Sequence, residues 1–153
     1  MIEEKKITGH VGLVESIAMI ADALGWKLDK IQELHPECLI AGRRIVTPYT
    51  IVRPGQVAGL KSVAYGLKQG QKVITLEFVS YAGIKEEYDA VSIEGLPNIN
   101  QKIAGGVHGD IGTVATIINA IPKVINANPG LVTMKDLPLP SAVSDDIRVH
   151  VEC

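Results

Sequence analysis

The stretch "VAGLKSVAYGLKQGQKVITLEFVSYAG", residues 57–83, constrains the fold most. Two long β-like runs flank Gln69-Gly70, and a glycine between such runs marks a hairpin turn. In the second arm Ile74, Leu76 and Phe78 alternate with Val73, Thr75, Glu77 and Val79. Strand side chains point alternately to two faces, so this period of two turns one face toward a core. Shorter runs extend the sheet. "KLDKIQELHPECLI" reads as a strand interrupted near His35-Pro36. "RRIVTPYTIVRPGQ" is β-branched, but its two prolines suit an edge or a crossing segment. "YDAVSIEG" and "INQKIAG" add two strands, and "DIRVHVEC" closes with Ile147, Val149 and Val151 alternating against Arg148, His150 and Glu152.

Two stretches switch to a helical period. From Thr8 to Gly25, the residues Val11, Val14, Ile17, Ala18, Ala21 and Leu24 recur at spacings of three and four. Thr8 is the expected N-cap and Gly25 the expected stop. Leu13, Met19 and Ile20 widen the apolar surface, so this helix should be covered on two sides, by its own sheet and by something else. A second helix is expected from Asp110, as its N-cap, to about Asn126, with Pro122 kinking or ending it early. No repeat, low-complexity tract or linker interrupts residues 1–153, which read as one domain. The expected class is α+β: an open, largely antiparallel or mixed sheet of four to seven strands, with two main helices packed on one face.

At 153 residues the chain can bury a core without staples. Only 4% of residues are aromatic, so aliphatic side chains and alanine must fill that core. The net charge of −2, with no basic block, invites neither nucleic acid nor an anionic membrane surface. Apolar runs break well before the roughly 20 residues of a bilayer span, and "MIEEKKITGH" lacks the order of a signal peptide. Cys38 and Cys153 make neither a disulfide framework nor a metal cluster, which suits free thiols in a reducing cytoplasm. No His, Cys or carboxylate group has a recognised metal spacing.

The chemistry gathers at "IAGGVHGDIGT", residues 103–113, directly before the second helix. A dinucleotide fingerprint needs G-x-G-x-x-G and a P-loop needs G-K-[ST], and neither occurs. Asp110 also places a carboxylate where a phosphate would sit, so a phosphate cradle is disfavoured. Two readings stand. In one, the glycines supply positive φ and Asp110 only caps the helix. In the other, His108 faces a cleft as a general base or donor while Asp110 orients it or holds a cationic substrate group. His10, in "TGHVGLVES", sits beside glycines at the start of the first helix, a position matching that of His108. Glu15 lies about one and a half turns on. His35 and His150 read as inert, and Arg43, Arg44 and Arg53 as surface cations able to clamp a carboxylate.

Four ordered motifs, "GHVGLVESIAMIADALGW", "RPGQVAGLKSVAYGL", "GGVHGDIGTVATIINAIPKV" and "PGLVTMKDLPLP", resemble the C-terminal half of 2,4-diaminopentanoate dehydrogenases. These belong to the dihydrodipicolinate-reductase-like two-domain oxidoreductases, and the resemblance runs from about Thr8 to Pro140. It implies a substrate-binding and subunit-contact domain on an open mixed sheet, hence a homo-oligomer. It also implies an NAD(P) carried by a separate N-terminal Rossmann domain, with none bound by this chain alone. The implied reaction is oxidative deamination of a diamino acid, in which hydride leaves the amine-bearing carbon for nicotinamide and water hydrolyses the imine. The "TGHVGL" and "GGVHGD" loops would line the cleft opposite the cofactor. There His10, His108 and Asp110 would contact substrate amines or move protons, and Gly9, Glu15, Gly106, Gly109 and Thr113 would complete the substrate side. Only seven residues precede the first matching helix, so no nucleotide-binding half is expected in this chain. It reads as half of a split enzyme with a Rossmann-domain polypeptide, as part of a longer enzyme, or as a non-catalytic module that binds a small amino acid or drives assembly.

Overall fold

The computed structural model describes residues 10–142 and 146–150. The backbone divides into two compact units, Met1–Lys85 and Glu86–Cys153. The class is α+β with antiparallel sheets, as the period-two runs require.

The first unit contains α1 (Leu13–Ala23), β1 (Lys30–Glu33), β2 (Glu37–Ile40), β3 (Ile45–Val46), β4 (Ile51–Val52), β5 (Val57–Lys68) and β6 (Gln71–Tyr81). Strand β5 is the spine of a four-stranded sheet. Along one edge it pairs with β6, from Gly59 opposite Tyr81 to Lys68 opposite Gln71. Along the other edge β1 and β2 lie end to end, β1 against residues 64–67 and β2 against 57–61. The interruption between them falls at Leu34-His35-Pro36, as the sequence suggests. In the β5–β6 turn both Gln69 and Gly70 have positive φ (53° and 73°), the requirement of a type I′ hairpin. The Gly70 N–H donates to Asp29 Oδ2 at 3.0 Å, fastening the turn to the segment that leads into β1. β3 and β4 form their own two-stranded ribbon, with Pro48 in its turn and Pro54 beyond its end.

Helix α1 crosses the sheet over β5. There β5 presents Ser62, Ala64 and Gly66, in register with Phe78, Leu76 and Ile74 of β6. Three small residues in a row let the helix come close: a Cβ on Gly66 would lie 2.9 Å from Ile17 Cγ2. The core beneath is Leu13, Ile17, Ala21, Ala64 and Ile74, ringed by Ile20, Trp26, Leu28, Ile31 and Leu76. The helix starts at Leu13, with Gly12 at the N-cap position; the expected cap Thr8 lies outside the described residues. Its buried stripe is Leu13–Ile17–Ala21, while Val14, Ala18 and Leu24 are exposed. Both stripes are apolar, and the one whose Ile17 fits over Gly66 faces the sheet. Gly25 ends the helix as expected. At φ +65° its N–H donates to Asp22 O (3.0 Å), and the Trp26 N–H donates to Ala21 O (2.8 Å), a Schellman closure.

The second unit contains β7 (Tyr88–Ile93), β8 (Ile99–Ala104), α2 (Gly109–Ile125) and a short 3₁₀ turn at Ile147–His150. β7 and β8 pair antiparallel as a ribbon, so Val91, Ile93, Ile99 and Ile103 share one face. Lys102 lies over the Tyr88 ring, 4.4 Å from its centroid, on the other. Pro122 sits inside α2 without ending it, because the N–H it lacks removes one bond in the last turn only. The expected closing strand is a correction. Residues 147–150 form a helical turn, since Asp146 accepts from the Arg148 N–H (3.0 Å) and guanidinium, and its carbonyl accepts from Val149 (3.1 Å). Such local bonding competes with a sheet ladder. Residues 151–153 lie outside the described residues. Every residue of β7 and β8 is exposed, and among the described residues of this unit only Ala120 and Pro122 are buried.

Candidate functional site

The glycine-rich loop joins β8 to α2 within the second unit. Gly105 and Gly106 both take positive φ (81° and 65°), turning the chain sharply off β8. The Gly105 N–H donates to Glu87 O at 2.8 Å and the Gly106 N–H to Ile103 O at 3.2 Å. The next N–H, on Val107, donates to Asp89 Oδ2 at 2.7 Å. Asp89 comes from β7, eighteen positions earlier, and its carboxylate also lies 3.6 Å from where a Gly106 Cβ would be. A protein carboxylate thus takes the place at the loop that a bound anion would need.

Asp110 is not the helix cap that its position suggests. The N-cap is His108, in extended conformation (φ −60°, ψ 117°) and without a side-chain capping bond. The chain enters the helix at Gly109, and the Gly112 N–H closes the first turn on His108 O at 2.8 Å. Asp110 therefore lies inside the first turn, where its negative charge complements the helix dipole. With Asp89 on the Val107 N–H and Asp110 in the first turn, two carboxylates repel a phosphate here, and the loop does not fit a dinucleotide.

The side chains of His108 and Asp110 are both exposed, two residues apart, one at the cap of α2 and one in its first turn. An open depression of about 390 Å³ beside them is lined by Val107, Gly109, Gly112, Thr113, Thr116 and Ile117. Of the candidate residues it gathers Gly109 and Thr113; Gly106, His108 and Asp110 stand outside its lining. Gly112 is packed against the loop, since a Cβ there would meet Val107 Cγ1 at 2.8 Å. A larger cleft of about 560 Å³, which the sequence did not suggest, lies at the other end of α2. Asn119, Lys123, Asn126, Asp136, Leu137 and Ser141 are among its lining residues. The Asp136 carboxyl accepts from Thr133 Oγ1 (2.6 Å) and N–H (2.8 Å), which holds it below its ordinary titration range.

His10 belongs to the first unit and is tied to its sheet. Its backbone N–H donates to Oγ of buried Ser62 at 3.0 Å. Its ring stacks on Phe78, with centroids 4.3 Å apart and planes 23° from parallel. Ser62 and Phe78 are opposite each other in the β5–β6 register, so one rung of the sheet fixes both backbone and ring. Glu15 is exposed in the first turn of α1. Gly9 lies outside the described residues. Among the described residues, no group of three His, Cys, Asp or Glu could hold a metal ion, and no helix is long and apolar enough to cross a membrane.

Asp89 is the residue that sequence reasoning missed. The signal was present: Asp89 is in phase with Val91 and Ile93, a carboxylate on an otherwise apolar strand face.

Comparison with known proteins places the chain. It is 40% identical to the 2,4-diaminopentanoate dehydrogenase of Acetoanaerobium sticklandii, across 96% of its own length and 43% of that protein's. The chain therefore spans less than half of that relative. In fold it is similar to the amine dehydrogenase from Mycobacterium smegmatis, with a TM-score of 0.68 and 24% identity, over 83% of this chain and 38% of that one. The family model for the 2,4-diaminopentanoate dehydrogenase C-terminal domain matches residues 1–153, and the chain belongs to that family.

Proposed function

We propose that this chain is the substrate-binding half of an NAD(P)-dependent dehydrogenase acting on 2,4-diaminopentanoate or a closely similar diamino acid. The carrying observation is the 40% identity to a 2,4-diaminopentanoate dehydrogenase across 96% of the chain. The dinucleotide would sit on a Rossmann domain supplied by the rest of such an enzyme or by a separate polypeptide, since the glycine loop here suits no phosphate. Cofactor chemistry would come from that domain.

The loop residues suit the substrate side. The Asp110 carboxylate offers an ion-pair partner to a substrate ammonium group. The ring nitrogens of His108 and His10 can donate or accept a hydrogen bond, which suits both residues to proton transfer at an amine. Gly109, with open space where a Cβ would stand, leaves its backbone free for a ligand to approach, while Gly106 shapes the turn beside it; Thr113 adds a hydroxyl on the adjoining depression, and Gly9 and Glu15 would contribute alongside His10. The exposed apolar face of the β7–β8 ribbon supports homo-oligomer contacts, and the free thiol of Cys38 suits the cytoplasm.

A fusion of this chain to the part of the A. sticklandii enzyme preceding the matched segment tests the proposal. NAD(P)H should form when 2,4-diaminopentanoate is added. A folded fusion that binds NAD(P)H yet turns over no diamino acid would overturn it. It would favour the second reading, a non-catalytic module that binds an amino acid or drives assembly, which the uncovered apolar faces of the second unit also fit.

A further inference from the structure

The cleft at the C-terminal end of α2 carries chemistry that the proposed function leaves unused. It encloses about 560 Å³ within the second unit, inside the range of about 300–1,000 Å³ that small-molecule sites occupy. Lys123, on its lining, stands fourteen residues after Gly109, about 21 Å along the helix. A ligand of a few carbons held at Lys123 is therefore out of reach of His108 and Asp110.

Two opposite charges line this cleft. Lys123 is half-buried in the last turn of α2, and among the described residues no carboxylate pairs with it. A charge taken partly out of water costs free energy until a counter-charge meets it. The opposing charge is Asp136. Thr133 Oγ1 (2.6 Å) and N–H (2.8 Å) both donate to its Oδ2, which fixes the carboxylate and holds it ionised. Its Oδ1 lies 3.5 Å from Lys135 Nζ. That is longer than the about 2.7–2.9 Å of a charged hydrogen bond, so this oxygen has acceptor capacity to spare. Asn126 adds an amide, and Pro122, Val132 and Leu137 add apolar wall.

We infer that this cleft binds a free α-amino acid with a short aliphatic side chain, at a site separate from the candidate substrate loop. Asp136 takes the ligand ammonium, Lys123 takes the ligand carboxylate, and the side chain lies against the apolar wall. The pair of charges selects this class. A simple anion would meet Asp136 as a like charge, and a simple amine would meet Lys123 in the same way. A zwitterion satisfies both. The inference stands apart from the function proposed above, in which neither Lys123 nor Asp136 serves.

The test is an amide NMR titration of the full chain with L-norvaline, beside butylamine and pentanoate, which each carry one of its two charges on a similar carbon chain. L-Norvaline should saturate with a Kd of about 1 mM or tighter, shifting the Lys123, Asn126 and Asp136 amides and sparing His108–Thr113. Butylamine and pentanoate should each bind at least about ten-fold more weakly, the loss of one charged hydrogen bond. Lys123→Gln and Asp136→Asn should each weaken L-norvaline by at least about ten-fold, while Asp110→Asn leaves it within about two-fold. The three-ligand comparison uses the parent chain, so it decides the matter whatever the variants do to folding. The absence of a saturable shift would overturn the inference. So would pentanoate or butylamine binding as tightly as L-norvaline, which would mean that the cleft reads a single charge. Shifts confined to His108–Thr113 and lost in Asp110→Asn would place the amino acid on the substrate loop, removing this site and keeping the proposed function. An occupied cleft in a fusion that turns over no diamino acid would do the reverse.

Discussion

Replacing Gly66 by alanine tests the close seating of α1 on β5. A Cβ at this position would lie 2.9 Å from Ile17 Cγ2, 3.1 Å from Leu28 Cδ1 and 3.2 Å from Ile74 Cβ. All three neighbours belong to the same packed cluster, in which Ile17 is fully buried. One methyl forced into such a core costs about 1–3 kcal/mol. Removing glycine from a strand interior returns about 0.5–1 kcal/mol. The first effect wins, leaving the first unit roughly 0.5–2 kcal/mol less stable by these figures. Trp26 is the chain's single tryptophan and packs against this cluster, so its fluorescence follows the unit during urea unfolding. The midpoint should fall by roughly 1 M with an unchanged slope. Ile17→Ala should cost less in the Gly66→Ala background than alone, because the new methyl enters the space that Ile17 leaves. An unchanged midpoint for Gly66→Ala would refute the close approach of helix to sheet, and with it the geometry that brings His10 onto Ser62 and Phe78.

Asp89→Ala removes the acceptor from the Val107 N–H. Amide exchange at Val107 should rise about ten-fold, the loss expected for a charged hydrogen bond at the surface, while the Trp26 unfolding midpoint stays put. An unchanged exchange rate would mean that the glycine loop holds its shape without β7. For the 133–136 turn the pH dependence has a definite sign. The folded Asp136 carboxyl titrates below its ordinary value because Thr133 donates two hydrogen bonds to it. Its contribution is therefore present above the ordinary aspartate value and is lost as pH falls through the lowered one. Thr133→Val should move the Asp136 titration, followed by NMR, back toward the ordinary range, and no movement would remove Thr133 as the cause.

Much of this was legible in the sequence because strands and tight turns write short-range signals. The alternation of Ile74, Leu76 and Phe78 gave the core face of β6, Gln69-Gly70 gave the hairpin turn, and Gly25 gave the end of α1. The choice between two apolar stripes on α1 was not legible. It was decided by Gly66, about fifty residues beyond Ile17, where a Cβ would crowd the Ile17 side chain. The cap of α2 was misread for a similar reason. Asp110 has the right chemistry in the right place, but the carboxylate that holds the loop comes from Asp89 on another strand. The pattern at the C-terminus failed over residues 147–150 because a short alternation is a weak signal beside Asp146, which binds the next turn of chain to itself. Four ordered motifs, the glycine loop's among them, pointed to the family from residues alone, while the loop's seating needed coordinates.

The central claim is that the loop at His108–Asp110 faces the substrate. It is tested most directly by kcat/KM for 2,4-diaminopentanoate in the fusion with the preceding part of the A. sticklandii enzyme, comparing Asp110→Asn with the parent. Loss of an ion pair to a substrate ammonium group predicts a fall of roughly 100-fold or more, while NAD(P)H affinity is unchanged. A value within about three-fold of the parent, with the fold intact, would contradict the account.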